Sequence, residues 1–250
     1  MIRSRFIWIF LLIAVTLCLL VCCGGKKEVK DEVFDSEKQM IKAEKLVSDK
    51  DFEAARKILL EVKNRDTTKK NAPFAQMKIA DSYIKEGEPD LAVEEYRKFL
   101  DLYPDNQYSS YAQYQIAMAY YSQIDTPDRG SGIAKKALYE FIKLKEMYPR
   151  NPYREYVELR IEKCRNIIAD GEFMVGEFYY KKESYNAAIN RLEGLLKQFP
   201  DYKRTDETLL LIGKSYKELK MADKAKEAFR ILIERYPSSR FVKEAKKGLL

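Results

Sequence analysis

Residues 179–200 read YYKKESYNAAINRLEGLLKQFP. Tyr179 and Tyr180 close one helix. Lys181–Ser184 is a short polar turn. A second helix follows, with Ala188, Leu192 and Leu195 on one face, since residues three and four apart share a face. Phe199-Pro200 ends it, because proline lacks an amide hydrogen and pushes the preceding residue out of helical geometry. Ser184 is the expected N-cap of this second helix.

The same skeleton recurs. Aligned on the alanine of the second helix, the copies begin at Ala55, Ala92, Ala137, Ala188 and Ala225. Twelve residues later come Thr67, Pro104, Pro149, Pro200 and Pro237, each proline preceded by Tyr or Phe. The first helices carry small residues at Ala43, Ala80, Ala117, Gly176 and Gly213, followed three residues on by Leu46, Tyr83, Tyr120, Tyr179 and Tyr216. A small residue at such a position lets a neighbouring helix approach closely. The pattern resembles the tetratricopeptide repeat, at a spacing of 37 residues (43 to 80 to 117, and 176 to 213) instead of the usual roughly 34. The expected fold is all-α: a right-handed α-solenoid of about five helix pairs with a C-terminal capping helix.

The 250 residues carry a formal net charge of +7, with acids and bases interleaved and no histidine. Such a balance suits solvated helix faces or an anionic membrane surface, not a nucleic-acid footprint. Lack of histidine removes the commonest general base and metal ligand. The cysteines, at 18, 22, 23 and 164, have neither zinc spacing nor a disulfide pattern. No phosphate-binding glycine loop, dinucleotide fingerprint, zincin motif or nucleophile elbow occurs. The expectation is a binding scaffold, not an enzyme, with no cofactor and no metal.

The chain opens with the basic Met1–Arg5 and an apolar run over Phe6–Val21, the pattern of an export signal. It closes in Leu20-Val21-Cys22-Cys23, which resembles a lipoprotein processing site. The expected layout is a leader over 1–22, a lipid on Cys23, a polar tether over 23–35 and the solenoid over 36–250. Cleavage before Cys22 stays open. Repeats are expected at about 37–67, 72–104, 108–149, 152–200 and 203–237, with the cap over 238–250, started by Ser238 or Ser239. Pro152–Lys182 reads as one long helix. The third copy has eight extra residues in Ile124–Gly132, all but continuous turn formers, expected as a projecting loop.

Tyr153–Asn166, Glu172-Phe173-Met174-Val175, Phe178-Tyr179-Tyr180 and Tyr185–Arg191 together resemble the signature region of the BamD family, lipoproteins of the outer-membrane β-barrel assembly machinery. The resemblance covers roughly residues 37–237. It implies an outer-membrane lipoprotein facing the periplasm and held in the inner leaflet by its lipid. Its partners would be the periplasmic domains of the barrel-forming subunit, other assembly lipoproteins and unfolded outer-membrane proteins. Arg191 matches the family's motif arginine that faces the barrel subunit. Asn190, Tyr180 and Arg129 are expected with it in partner binding. The first helices of the first three repeats would display Gln76, Tyr83, Tyr111, Gln115 and Tyr121 as a groove for extended peptide, since tyrosine offers large contact area at low entropy cost. A second reading is a periplasmic scaffold of the Tol-Pal envelope system resembling CpoB, which shares the aromatic-proline period and the ending Tyr236–Phe241.

One consequence is testable from the sequence alone. Cys23→Ser is expected to leave unprocessed precursor and move the mature chain to the soluble fraction, because stable anchoring takes more than one acyl chain. Mass spectrometry of the mature N-terminus checks it and decides between Cys23 and Cys22. An intact, unmodified Met1 would overturn the assignment.

Overall fold

The computed structural model describes residues 34–67 and 69–249. The expected leader, the anchor Cys23 and the tether through Val33 lie outside the described residues. The described residues form eleven α-helices: α1 (Ser36–Ser48), α2 (Phe52–Arg65), α3 (Ala72–Glu86), α4 (Pro89–Leu102), α5 (Ser109–Ser122), α6 (Pro127–Met147), α7 (Arg154–Lys181), α8 (Tyr185–Gln198), α9 (Thr205–Glu218), α10 (Ala222–Arg235) and α11 (Val242–Gly248). Among these residues there is no strand. Each helix packs on the next, and α9 also meets α7 and α11. This is an all-α stack of helix pairs. None of the described helices is long and apolar enough to cross a membrane.

Local chemistry sets the helix ends. Asp51 caps α2, its carboxylate accepting the Ala54 amide at 3.2 Å. Pro89 and Pro127 start α4 and α6 at a position where a missing amide costs nothing. Tyr103, Tyr148, Phe199 and Tyr236 are the C-caps of α4, α6, α8 and α10, with φ between −137° and −127°. Each donates its amide to the residue four back and then hands the chain to proline. Ser184 stands at the N-cap of α8 but makes no side-chain cap bond.

Four of the five pairs share one turn. After α1, α3, α7 and α9 a single residue takes left-handed geometry: Lys50 (φ 64°), Gly87 (91°), Glu183 (59°) and Lys220 (59°). The next amide then reaches back five residues: Asp51 to Leu46 (2.8 Å), Glu88 to Tyr83 (2.9 Å), Ser184 to Tyr179 (2.9 Å) and Met221 to Tyr216 (3.0 Å). This is the Schellman arrangement, which satisfies the last carbonyls of a helix. It starts from the residue three after each small position, so turn and packing share one register.

Packing follows that register. An added Cβ at Gly176 would lie 2.4 Å from Leu192 Cδ2, and one at Gly213 would lie 2.4 Å from Phe229 Cε1. Leu192 and Phe229 stand four residues after the aligned alanines. The equivalent side chains are Leu59, Tyr96 and Phe141, all at most 1% exposed. Phe229 is held on its other edge by Gly248 of α11, again at 2.4 Å from a would-be Cβ.

Two expectations are corrected. The extra residues of the third copy are not a projecting loop. Pro127 opens α6, so they add two turns to that helix. The residues on either side of the added turns, Ile124 before and Ala134 after, join Ile168, Ala169 and Phe173 of α7 in one apolar cluster. Gly130 fits beneath the loop, where a Cβ would meet Ile124 Cγ2 at 3.1 Å. Burying that surface outweighs the turn preferences of Gly130 and Gly132. The cap is also shorter than expected and begins at Val242. Ser239 instead donates to Asp206 at 2.5 Å and accepts the Phe241 amide at 3.1 Å.

The glycines separate two costs. At Gly87 a Cβ meets nothing within 4 Å, so Gly87→Ala is expected to cost only backbone strain, about 1 kcal/mol. Gly213→Ala pushes into a pinned ring and is expected to cost about 1–3 kcal/mol. Denaturant midpoints of the two variants check the order; equal losses would contradict it.

Candidate functional site

A polar pair recurs at one register of repeats two, three and four. Its members stand four residues before the small residue of the first helix and three after the alanine of the second. In the second repeat Gln76 Nε2 donates to the Glu95 carbonyl (3.1 Å) and to Glu95 Oε2 (2.8 Å). In the third, Gln113 Nε2 does the same to Glu140, at 3.1 and 2.8 Å. In the fourth the pair is ionic: Arg191 Nη1 lies 3.3 Å from Glu172 Oε2. The preceding second helix sends a cation to each pair. Lys63 Nζ donates to Gln76 Oε1 (2.9 Å), Arg97 Nη2 to Glu140 Oε1 (2.8 Å) and Lys135 Nζ to Glu172 Oε1 (3.4 Å). The result is a chain of polar links running from repeat to repeat.

Its links differ in strength. Glu140 is 3% exposed, and its carboxylate accepts a hydrogen bond on each oxygen, from Arg97 and from Gln113, as a buried carboxylate needs. Glu95 is raised by burial but held below the usual carboxylate range by hydrogen bonds from Lys98 and Gln76. Gln113 Oε1 is buried without a partner. The residue equivalent to Lys63 is Leu100 in that repeat, so the donor is missing. The fourth link is the loosest. Its distances are long, Arg191 is 53% exposed, and two cations share one acid.

The residues expected in a peptide groove divide. Gln76 is corrected: at 0% exposed it is enclosed in the polar pair and displayed to nothing. Tyr83 is half-buried, and the Arg56 guanidinium covers its ring 4.1 Å from the centroid. Tyr121 is half-buried, edge-on to Phe141, with Arg160 5.2 Å and Lys163 5.8 Å from its centroid. Tyr111 and Gln115 lie one turn apart on α5, both half-buried. Tyr111 joins Tyr96 at a shared acceptor: both hydroxyls donate to Asp81 Oδ1, at 3.0 and 2.5 Å. Burial and then the Asp81 charge push the Tyr111 hydroxyl up to about 12, against a hydrogen bond from Gln115. Burial with Asp81 also raises Tyr96.

Among the expected partner-binding residues, Asn190 is exposed beside Arg191 on α8. Tyr180 is half-buried at the end of α7, its ring edge-on to Tyr185 with centroids 5.8 Å apart. Arg129 falls in the first turn of α6, with its side chain outside the described part. Sequence reading missed Asp81, Lys135 and Glu172. Repeat register could have found Glu172, since it occupies the position of Gln76 and Gln113. Among the described residues no group of three acids or cysteines is arranged to hold a metal ion.

The chain is similar to known outer-membrane proteins. The family YfiO, described as outer membrane lipoprotein, matches residues 35–230. The outer membrane protein assembly factor BamD of Neisseria meningitidis serogroup B is 24% identical over 250 residues, covering 94% of this chain and 94% of that protein. The factor of the same name from Rickettsia prowazekii is 28% identical over 171 residues, covering 68% of this chain and 67% of that protein.

The tyrosine shifts predict an alkaline transition. A folded hydroxyl raised above the ordinary value near 10 favours the neutral form, so its contribution to stability is complete below pH ~10. That contribution is lost as pH climbs from ~10 toward 12 for Tyr111 and Tyr216, each raised to about 12. Tyrosine absorbance titration is expected to show a late-ionising subset. Asp81→Asn is expected to lower the pH at which Tyr111 ionises, with the part due to burial remaining; no change would remove Asp81 as a cause.

Proposed function

The chain belongs to the YfiO family of outer membrane lipoproteins, and from this we propose that it is an assembly factor for outer-membrane β-barrel proteins. The observation that carries the reading is the alignment with a BamD factor over 94% of both chains. It favours this role over the Tol-Pal type of scaffold. In this reading Cys23 bears the lipid that holds the solenoid at the inner leaflet, facing the periplasm. Other assembly lipoproteins join it there.

The C-terminal repeats bind the periplasmic domains of the barrel-forming subunit. Arg191 is suited to that contact. Its tie to Glu172 is exposed and long at 3.3 Å, the kind of pair worth about 0–1 kcal/mol. Lys135 also lies on Glu172, so an incoming carboxylate meets two cations against one acid. An arginine fork makes a strong charge-assisted contact with such a group. Asn190, beside it, and Tyr180 extend that contact, and Arg129 of α6 is a further partner-binding residue in this reading.

The first three repeats receive unfolded outer-membrane protein segments. Tyr111, Gln115 and Tyr121 offer half-buried rings and an amide to an extended strand, with Tyr83 at the edge. Gln76 holds two helices together and has no part in this.

Arg191→Glu is expected to shift thermal melting little, since a surface pair is lost. Co-purification of the barrel-forming subunit in mild detergent is expected to fall at least tenfold. Glu172→Gln, which frees the guanidinium, is expected to preserve or raise it. Undiminished co-purification with Arg191→Glu would assign that arginine to the solvated surface.

A further inference from the structure

Helix α7 is twice as long as the helix that follows it. It has 28 residues and α8 has 14, about 42 Å against about 21 Å at 1.5 Å per residue. The turn at Lys182–Ser184 sends α8 back along the C-terminal half of α7, where Leu192 meets Gly176 and Arg191 meets Glu172. The N-terminal half is covered on one side by α6: Val157 and Cys164 share a cluster with Phe141 and Leu144. The neighbouring face carries Glu158, Leu159 and Glu162, all exposed, while Ala169 further along is already buried in the cluster of Leu195 and Phe199.

A groove of about 390 Å³ lies along that face. Ala169, Phe199 and Tyr202 close one end, with the Tyr202 hydroxyl tied to Asp170 at 2.6 Å. Its rim carries Glu158, Glu162 and Asp201 against one cation, Arg165. Arg165 lies over the Phe199 ring, 5.4 Å from the centroid. Glu158 reaches Lys145 on the α6 side. Leu159, 64% exposed, stands at the open end.

We propose that this groove is a docking site for a basic amphipathic helix of a partner protein, which takes the place of the second helix the stack lacks there. The length by which α7 exceeds α8, 14 residues (28 less 14), matches one helix of the repeat. Glu158, Glu162 and Asp201 outnumber the cations Arg165 and Lys145 beside them, and that excess selects lysines or arginines on the incoming helix, because opposite charges across an interface set partner choice. Leu159, exposed at the open end, and the half-buried Ile161 offer apolar contact to an aliphatic side chain of that helix. A concave slot favours a protein segment over a lipid surface. The site uses neither Arg191 nor the first three repeats, so it stands apart from the contacts proposed above.

The test places a photo-crosslinking residue at Leu159 in the full chain, expressed in its own envelope, with a second at Asn190 as a reference. The crosslinked peptides are then sequenced. At 159 the expected adduct is a segment of another protein with at least two Lys or Arg at helical spacing around an aliphatic residue. The double change Glu158→Lys and Glu162→Lys is expected to reduce that adduct at least tenfold. Both are exposed, so melting and the adduct at 190 stay unchanged. An adduct with a second copy of this chain, with an acidic segment or with lipid, or no adduct at 159, overturns the proposal. So does an adduct that survives the charge reversal.

Discussion

Each repeat depends on one large side chain seated against one small residue. Where the small residue is glycine, a single added carbon would fall 2.4 Å from Leu192 or Phe229. That closeness sets the distance between the paired helices. It also fixes the turn, because the Schellman bonds after α1, α3, α7 and α9 start three residues beyond the small position. The aromatic-proline stop sets the other end. Four of the five second helices are thereby cut to defined ends, and the stack inherits its period from these two limits.

The polar chain through repeats two to four uses the same geometry for another purpose. One register holds Gln76 with Glu95, Gln113 with Glu140, and Glu172 with Arg191. The first two are enclosed, hydrogen-bonded and committed to the fold. The third exchanges amide for ion pair and moves to the surface, where charge pairing contributes little to stability. A position that is enclosed in two repeats thus lies at the surface in the next. In the fifth repeat the same register is Leu209 and Ala228, both buried and apolar.

The irregularity lies between the third and fourth repeats. Helix α6 has 21 residues and α7 has 28, whereas α4, α5, α8, α9 and α10 each have 14. Helix α6 covers part of the extra length of α7. The remainder borders the acid-rimmed groove. A regular array of paired helices would leave no such face, so the longer helices create surface that packing does not consume.

By itself the sequence determined the fold class and the helix breaks, and its segments around Tyr153–Arg191 carried the resemblance to the family. The fold class and breaks rest on local causes: proline removes an amide, a 3.6-residue period buries one face, and small residues recur at 37-residue spacing. The long helix over Arg154–Lys181 was legible for the same reason, having glycine but no proline inside it. What only the tertiary structure decided depends on the neighbouring helix. Gln76 looked displayable until Glu95 and Lys63, on two other helices, enclosed it. Arg191 looked free until Glu172, 19 residues earlier, met it across the α7–α8 pair. The turn-rich stretch 124–132 became largely helix, flanked by Ile124 and Ala134, which both pack in the cluster of Ile168 and Phe173. Burial of a distant apolar face outweighed local turn preference there, and no local pattern in the chain records that distant face.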